Sequence, residues 1–395
     1  MSLQKRNTTG ANGNRKRGNQ NGIQGAGPKV YCAQLRVCTG ADGKTYIDFS
    51  TGIGVDSLGF CDDGWVKAVC TQAGKLQHIS NLYYSEPMVR LAETLCTRTF
   101  AKKVFFANSG AEANEGILKA ARKYSHDKYG KGRHTIIALE NGFHGRTVTT
   151  LSATGQDVFH QYYDPFTEGF RFVRAGDVEA LRAAADGTAC GILLELVQGE
   201  GGVVPLSQEF VSAAAQLCAE QDILLMIDEV QTGVGRTGKL LCSEHYGITP
   251  DLTSLAKGLG GGLPIGAVLL GEKCESVFGC GDHGTTFGGN PVVCAGANEV
   301  LRRLDQTLLD EVSEKGAYLT RRVLEMPHVV SVEGKGMMLG ITLDGLESRP
   351  AAAECLRHGL IILTAKAKLR MLPPLTISYA EIDRGLEILN EVLGQ

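Results

Sequence analysis

No stretch of this chain approaches the ~18 consecutive apolar residues of a membrane-spanning helix, and its N-terminal segment lacks a secretory hydrophobic region. A soluble, cytoplasmic protein with no membrane partner is therefore expected. The twelve cysteines contain no C-x-x-C pair, and no His/Cys cluster has metal-ligand spacing. That argues against zinc and against a disulfide framework, and predicts reduced thiols and no metal. Residues 1–27 lack acids and aromatics while carrying Lys5, Arg6, Arg15, Lys16 and Arg17. So Asn- and Gly-rich a segment cannot bury a core, and is read as a disordered basic tail. Without aromatics to stack on bases it is not read as a nucleic-acid arm. Its positive charges mask a body more acidic than the −3 of the whole chain.

What the chain does have is length and apolar content: 395 residues, 43% hydrophobic, enough for a large core and for two domains. Two β-like runs, 35–39 and 44–49, flank Gly40-Ala41-Asp42-Gly43 as a hairpin. An amphipathic helix is predicted over 86–98. Strand-like runs at 104–106, 134–139, 170–174, 191–197, 223–227 and 266–270 then alternate with helical stretches at 112–129 and 209–220. That alternation implies an α/β doubly wound, mainly parallel sheet flanked by helices. Past Asn290 come long helices, short strands and a closing helix. The expected division is residues 28–85 as the N-terminal part of a small α+β domain, 86–290 as a large domain, and 291–395 as the C-terminal part of the small one.

The chemistry centres on residues 222–266. An apolar run ends at Asp228 and Glu229, as a buried parallel strand would when it delivers a carboxylate to the sheet edge where ligands sit. Lys257 follows in Ser254-Leu255-Ala256-Lys257, before glycines that leave its amine uncrowded. An acid that can hold a pyridine nitrogen protonated, together with an amine that can bond an aldehyde, is what pyridoxal phosphate chemistry needs. An isolated Asp or Lys is more often a turn cap or a solvated side chain. Gly233-Val234-Gly235-Arg236-Thr237-Gly238 fits G-x-G-x-x-G, but residues 239–249 lack the apolar stripe of the helix that a dinucleotide site requires.

Further motifs fall at other sheet-end loops. Asn108-Ser109-Gly110-Ala111-Glu112 joins a strand to a helix, and reads either as a phosphate seat or as an ordinary N-cap. Phe143-His144-Gly145-Arg146 offers a ring for stacking and a fork for a carboxylate, although such a His and Arg are commonly surface residues. Gln198-Gly199-Glu200-Gly201-Gly202 is a flexible loop carrying an acid. Gly284-Thr285-Thr286-Phe287-Gly288-Gly289-Asn290 is a second hydroxyl- and glycine-rich loop suited to phosphate.

Taken together, these motifs resemble the class III (ω-) aminotransferases of the fold-type I pyridoxal-phosphate superfamily, from about Leu35 to the C-terminus. The most specific match is Met226-Ile227-Asp228-Glu229-Val230-Gln231-Thr232-Gly233. The resemblance implies that superfamily's fold, a mainly parallel seven-stranded-type sheet flanked by helices plus a small α+β domain built from both termini. It implies pyridoxal 5'-phosphate (PLP) as cofactor and a homodimer with shared active sites. It further implies Lys257 as the covalent anchor, Asp228 on the pyridine nitrogen, Gln231 on the phenolic oxygen and Phe143 against the ring. Ser109, Gly110 and Ala111 would hold the phosphate, with Thr286 reaching that of the neighbouring subunit. Arg146 would take the far carboxylate of the substrate, and Arg370 the α-carboxylate of glutamate with Glu200 as its gate. The implied reaction moves the terminal amine of N-acetylornithine to 2-oxoglutarate, giving glutamate, in arginine biosynthesis. Succinylornithine, succinyl-diaminopimelate, ornithine, 4-aminobutyrate and an aminomutase remain open alternatives. Leu196 stands where the family carries a proline.

Overall fold

A computed structural model describes residues 30–34, 36–40 and 43–395. The tail predicted at 1–27 lies outside them, as do the hairpin-turn residues 41 and 42. Seven strands form the central sheet: β1 Lys103–Ala107, β2 Thr135–Leu139, β3 Phe170–Val173, β4 Ala189–Leu194, β5 Leu224–Asp228, β6 Leu252–Leu255 and β7 Gly266–Leu270. Their order is β1-β7-β6-β5-β4-β2-β3. β2 to β6 pair in parallel, and β7 alone runs antiparallel to both of its neighbours.

Every residue of β5 is buried, which explains why its sequence shows an unbroken apolar run rather than alternation. Each such Leu, Ile or Met side chain contributes about 1.5–3 kcal/mol by leaving water. The first long helix of this sheet, α1 Gly110–Tyr129, starts at Ser109, whose hydroxyl accepts the Glu112 amide, and stops at Gly130 with φ +78°. Register carries the functional consequence. Ile227 pairs with Leu194, Asp228 with Ser254, Leu255 with Ala267 and Ala107 with Gly266. The C-terminal ends of β1, β4, β5 and β6 and the start of β7 therefore lie on one edge of the sheet.

The expected hairpin forms between Val37–Gly40 and Thr45–Asp48, and the late strand Leu360–Ile361 joins it in parallel, so both ends of the chain build one small sheet. A second small sheet holds Val329–Lys335, Met338–Leu343, Lys368–Met371 and Leu363–Ala365. The helices Asp63–Ala73 and Ser348–His358 and the short strands β6 and Lys368–Met371 were not expected from the sequence. Four-residue strands such as Leu-Thr-Ser-Leu are too short for periodicity to declare them, and strand direction leaves no local mark, which hid the reversal of β7. Among the described residues no helix is long and apolar enough to cross a membrane.

Candidate active site

The shared sheet edge opens into a cavity of about 460 Å³ lined by Ser109, Gly110, Ala111, Phe143, Arg146, Glu200, Asp228, Gln231 and Lys257. These predicted site residues come from segments far apart in the chain and converge here. A larger groove, about 890 Å³, runs between the helices Asp63–Ala73, Glu86–Arg98 and α2 Pro291–Arg303. Its charged groups include the intrahelical pairs Arg90–Glu86 and Arg302–Glu299, and it lies away from Lys257 and Asp228.

Lys257 follows β6 at the floor of the cavity with φ +40°, a left-handed conformation that strains a non-glycine residue by roughly 1–3 kcal/mol. Burial pulls its ammonium below the ordinary lysine range, although the charges of Asp228, Glu200 and Glu195 oppose that shift. An amine placed so gives up its proton more readily than a surface lysine.

Asp228 ends β5 inside a dense set of donors. Its Oδ2 accepts from His144 Nδ1 at 2.8 Å and from Asn114 Nδ2 at 2.7 Å, and its Oδ1 accepts from the Val230 amide at 3.0 Å. Asn114 also donates to the His144 carbonyl, and its own amide oxygen accepts from the Ser254 hydroxyl at 2.6 Å. Since both partners of the nitrogen can only accept, the amide has one orientation. Burial draws the His144 pKa down, but the bond to Asp228 and the charges of Asp228 and Glu195 outweigh it, leaving the ring above the ordinary histidine range.

His144, Asn114 and Ser254 are participants whose roles the sequence does not reveal, and Glu195 shows in it only as the carboxylate that ends a strand-like run. His144 is 2% exposed, against the expectation of a surface side chain, whereas Arg146 beside it is exposed. One signal was available for Asn114: it is a polar residue within the buried face of α1 that Ala113, Ile117, Ala120 and Ala121 define. Glu195 accepts from the Phe143 amide at 2.8 Å, and burial lifts its carboxyl to about 7, opposed by His144. Glu229, beside Asp228, turns away from the cavity. It accepts from the Cys242 and Ser243 amides and the Thr232 hydroxyl, and burial lifts it to about 7.

At the head of α1, a Cβ on Gly110 would come within 2.7 Å of Val230, so only glycine lets the helix start meet the β5 loop here. Arg370, on the strand Lys368–Met371, is 3% exposed and reaches the site through an ion pair with Glu200 at 2.7 Å. Thr286 is the exception among the predicted residues, being exposed on the loop before α2 and absent from this cavity's lining. The G-x-G-x-x-G loop opens no helix; its Arg236 is buried and donates to the carbonyls of Met337 and Pro373, tying the large sheet to the C-terminal segment.

A mainly parallel sheet whose edge gathers a strained, buried lysine, a donor-ringed aspartate and a helix start describes a lysine-dependent transferase site. Residues 32–393 match the aminotransferase class-III family, and the chain belongs to that family. It is 52% identical to the acetylornithine aminotransferase of Haemophilus ducreyi over 90% of this chain and 91% of that protein. Among solved structures it is similar to the N-acetylornithine aminotransferase of Stenotrophomonas maltophilia, with TM-score 0.82 and 34% identity over 93% of this chain and 95% of that one. The ornithine aminotransferase of Toxoplasma gondii, which holds PLP at partial occupancy in its active site, superposes with TM-score 0.89 at 29% identity, covering 95% and 92% of the two chains.

Proposed function

We propose that the chain transfers the terminal amine of N-acetylornithine to 2-oxoglutarate with PLP as cofactor, in arginine biosynthesis. The donor set fits that group. Gln231 Oε1 is buried in the cavity wall with no hydrogen-bond partner, an arrangement that is costly unless a ligand completes it. Ser109, Gly110 and Ala111 would hold the phosphate, Phe143 a ring face, Gln231 the phenolic oxygen, Asp228 the pyridine nitrogen and Lys257 the aldehyde carbon. When bound, PLP supplies an electron sink for the carbon that carries the amine. Lys257 Nζ would take the proton from that carbon and deliver it, in a 1,3-shift, to the carbon that had been the aldehyde's, a role its lowered pKa favours.

The observation that carries the two-substrate reading is the ion pair between Arg370 and Glu200. N-acetylornithine would present its terminal amine at Lys257 and its carboxylate to Arg146. Arg370 then has no carboxylate from the substrate, and leaving a buried charge unpaired is costly, so Glu200 neutralises it. Glutamate brings a carboxylate to each end; its α-carboxylate displaces Glu200 and makes the bidentate contact instead. Breaking such a pair costs about 2–5 kcal/mol, so Arg370→Ala should slow the glutamate half-reaction by roughly 30-fold or more while sparing the donor half. Glu200→Ala should shift the ratio of the two rates the other way. Stopped-flow measurement of each half decides it, because equal slowing of both halves by both variants makes the pair a structural contact. A donor panel with 2-oxoglutarate as acceptor separates N-acetylornithine from ornithine, 4-aminobutyrate and the succinylated amines.

The same reading includes a homodimer in which Thr286 completes the neighbouring subunit's phosphate seat. Its loop lies beside an exposed apolar set, Leu82 at 84%, Tyr84 at 89% and Phe287 at 62%, of the kind that subunit contacts cover. Sedimentation across a dilution series should show activity falling as the dimer dissociates. A fully active monomer ends this part of the reading.

A further inference from the structure

Arg146 is held differently from Arg370. Arg370 is buried against a carboxylate, whereas among the described residues Arg146 has neither an ion pair nor a hydrogen-bond acceptor. Its guanidinium carbon instead lies 4.3 Å from the ring centroid of Phe159 and 5.6 Å from that of Phe143. The two rings meet edge to face, 5.8 Å apart at 75°. Phe159 ends the short 3-10 turn Asp157–Phe159, outside every motif that marked the site in the sequence.

A guanidinium resting on ring faces is attracted through its plane, which leaves its N–H edges free for a planar bidentate partner. A carboxylate clamp, by contrast, occupies those edges and cancels the charge. We propose that Phe159 is a positioning residue that aims Arg146 at the far carboxylate of the substrate, keeping this fork permanently open while Arg370 stays gated by Glu200. The proposal rests on the reading of Arg146 as the far-carboxylate fork, and goes beyond it by naming what holds the fork in place. It also divides substrates by chemistry. Amines and amino acids with a carboxylate at the end remote from the reacting nitrogen depend on Phe159, and those without one do not. Because Phe143 touches both Arg146 and Phe159, the shelf is continuous with the wall that faces Asp228 and Lys257.

The test compares the holoenzyme with Phe159→Leu, Phe159→Met, Phe159→Tyr and Arg146→Ala. Glutamate and alanine are compared as amine donors in the single half-reaction, and glutarate is titrated calorimetrically as an unreactive dicarboxylate. Losing the ring should raise the apparent dissociation constants of glutamate and glutarate about 2- to 30-fold, the range of a cation–π contact, with little change in the limiting rate. Phe159→Tyr keeps a ring face and should restore both. The alanine constant should stay where it is. A purely structural role for Phe159 would weaken alanine as much as glutamate, and that result overturns the proposal. So does unchanged glutamate affinity in both Leu and Met variants when Arg146→Ala weakens it. If Arg146→Ala itself leaves glutamate and glutarate affinity intact, the reading of Arg146 fails and the proposal falls with it.

Discussion

Lys257→Ala is expected to abolish turnover, by at least about 100-fold, the low end of what a positioned general acid/base contributes alone. In the proposed reaction the covalent anchor and the proton carrier are the same nitrogen, so one truncation removes both. PLP affinity should survive in part, because Ser109, Gly110, Ala111, Asp228 and Gln231 are untouched and line the same cavity. The cofactor-free variant should also be no less stable than the parent. Burial lowers the folded-state pKa of Lys257 below 10.5, so between that lowered value and 10.5 the unfolded chain binds more protons at this site. The lysine thus works against folding below its folded pKa, and its contribution improves as pH rises through that window. Removing it should raise stability near neutrality and flatten this part of the pH dependence. Turnover above a hundredth of the parent's would move the proton carrier to another group, and chemical denaturation across pH checks the second expectation.

The residues of this site differ in how far the sequence alone could locate them. Asp228 and Lys257 were legible because each ends a segment with a local signature, an apolar run in one case and a glycine-rich stop in the other. The junction at Ser109–Ala111, which lines the cavity, was legible for the same reason, as a strand-to-helix turn with its own capping pattern. His144, Asn114 and Ser254 carry no such signature. Their roles arise from contacts across 84, 114 and 140 positions of chain, which only the register of the sheet creates. Glu195 and Glu229 show the complementary difficulty. Both look like strand-end carboxylates, yet one faces the cavity and the other is consumed by the amides of Cys242 and Ser243. Arg146, which lines the cavity, lies in a motif, but Phe159, on which it rests, lies in a turn with no motif at all.

Asp228→Asn should lower turnover by roughly 10²–10³-fold or more, the scale of removing a preorganised charge from a reacting centre. The carboxylate's role in the proposed reaction is to hold the pyridine nitrogen protonated, and a neutral amide cannot supply that charge. The structure adds a second effect that residue chemistry alone does not suggest. Three donors surround this side chain: His144 and Asn114 on Oδ2 and the Val230 amide on Oδ1. A carboxylate accepts from all three, whereas an amide must turn its NH₂ towards at least one of them. With the amide oxygen facing His144 and Asn114, the NH₂ opposes the Val230 N–H; with the group flipped, it opposes Asn114, whose own orientation is locked by the His144 carbonyl and Ser254. Either arrangement leaves a buried donor unsatisfied, costing about 1–3 kcal/mol. The variant should therefore fold, but melt below the parent even without PLP. Adding Asn114→Asp supplies an acceptor for the new NH₂ but sets a buried carboxylate oxygen against the His144 carbonyl, so the stability should not be regained, and turnover should stay low because the charge sits on the neighbouring side chain rather than at position 228. Full activity in the single variant would remove Asp228 from the cofactor's nitrogen. Recovery of activity in the double variant would show that hydrogen-bond order, not the placement of charge, is what Asp228 provides.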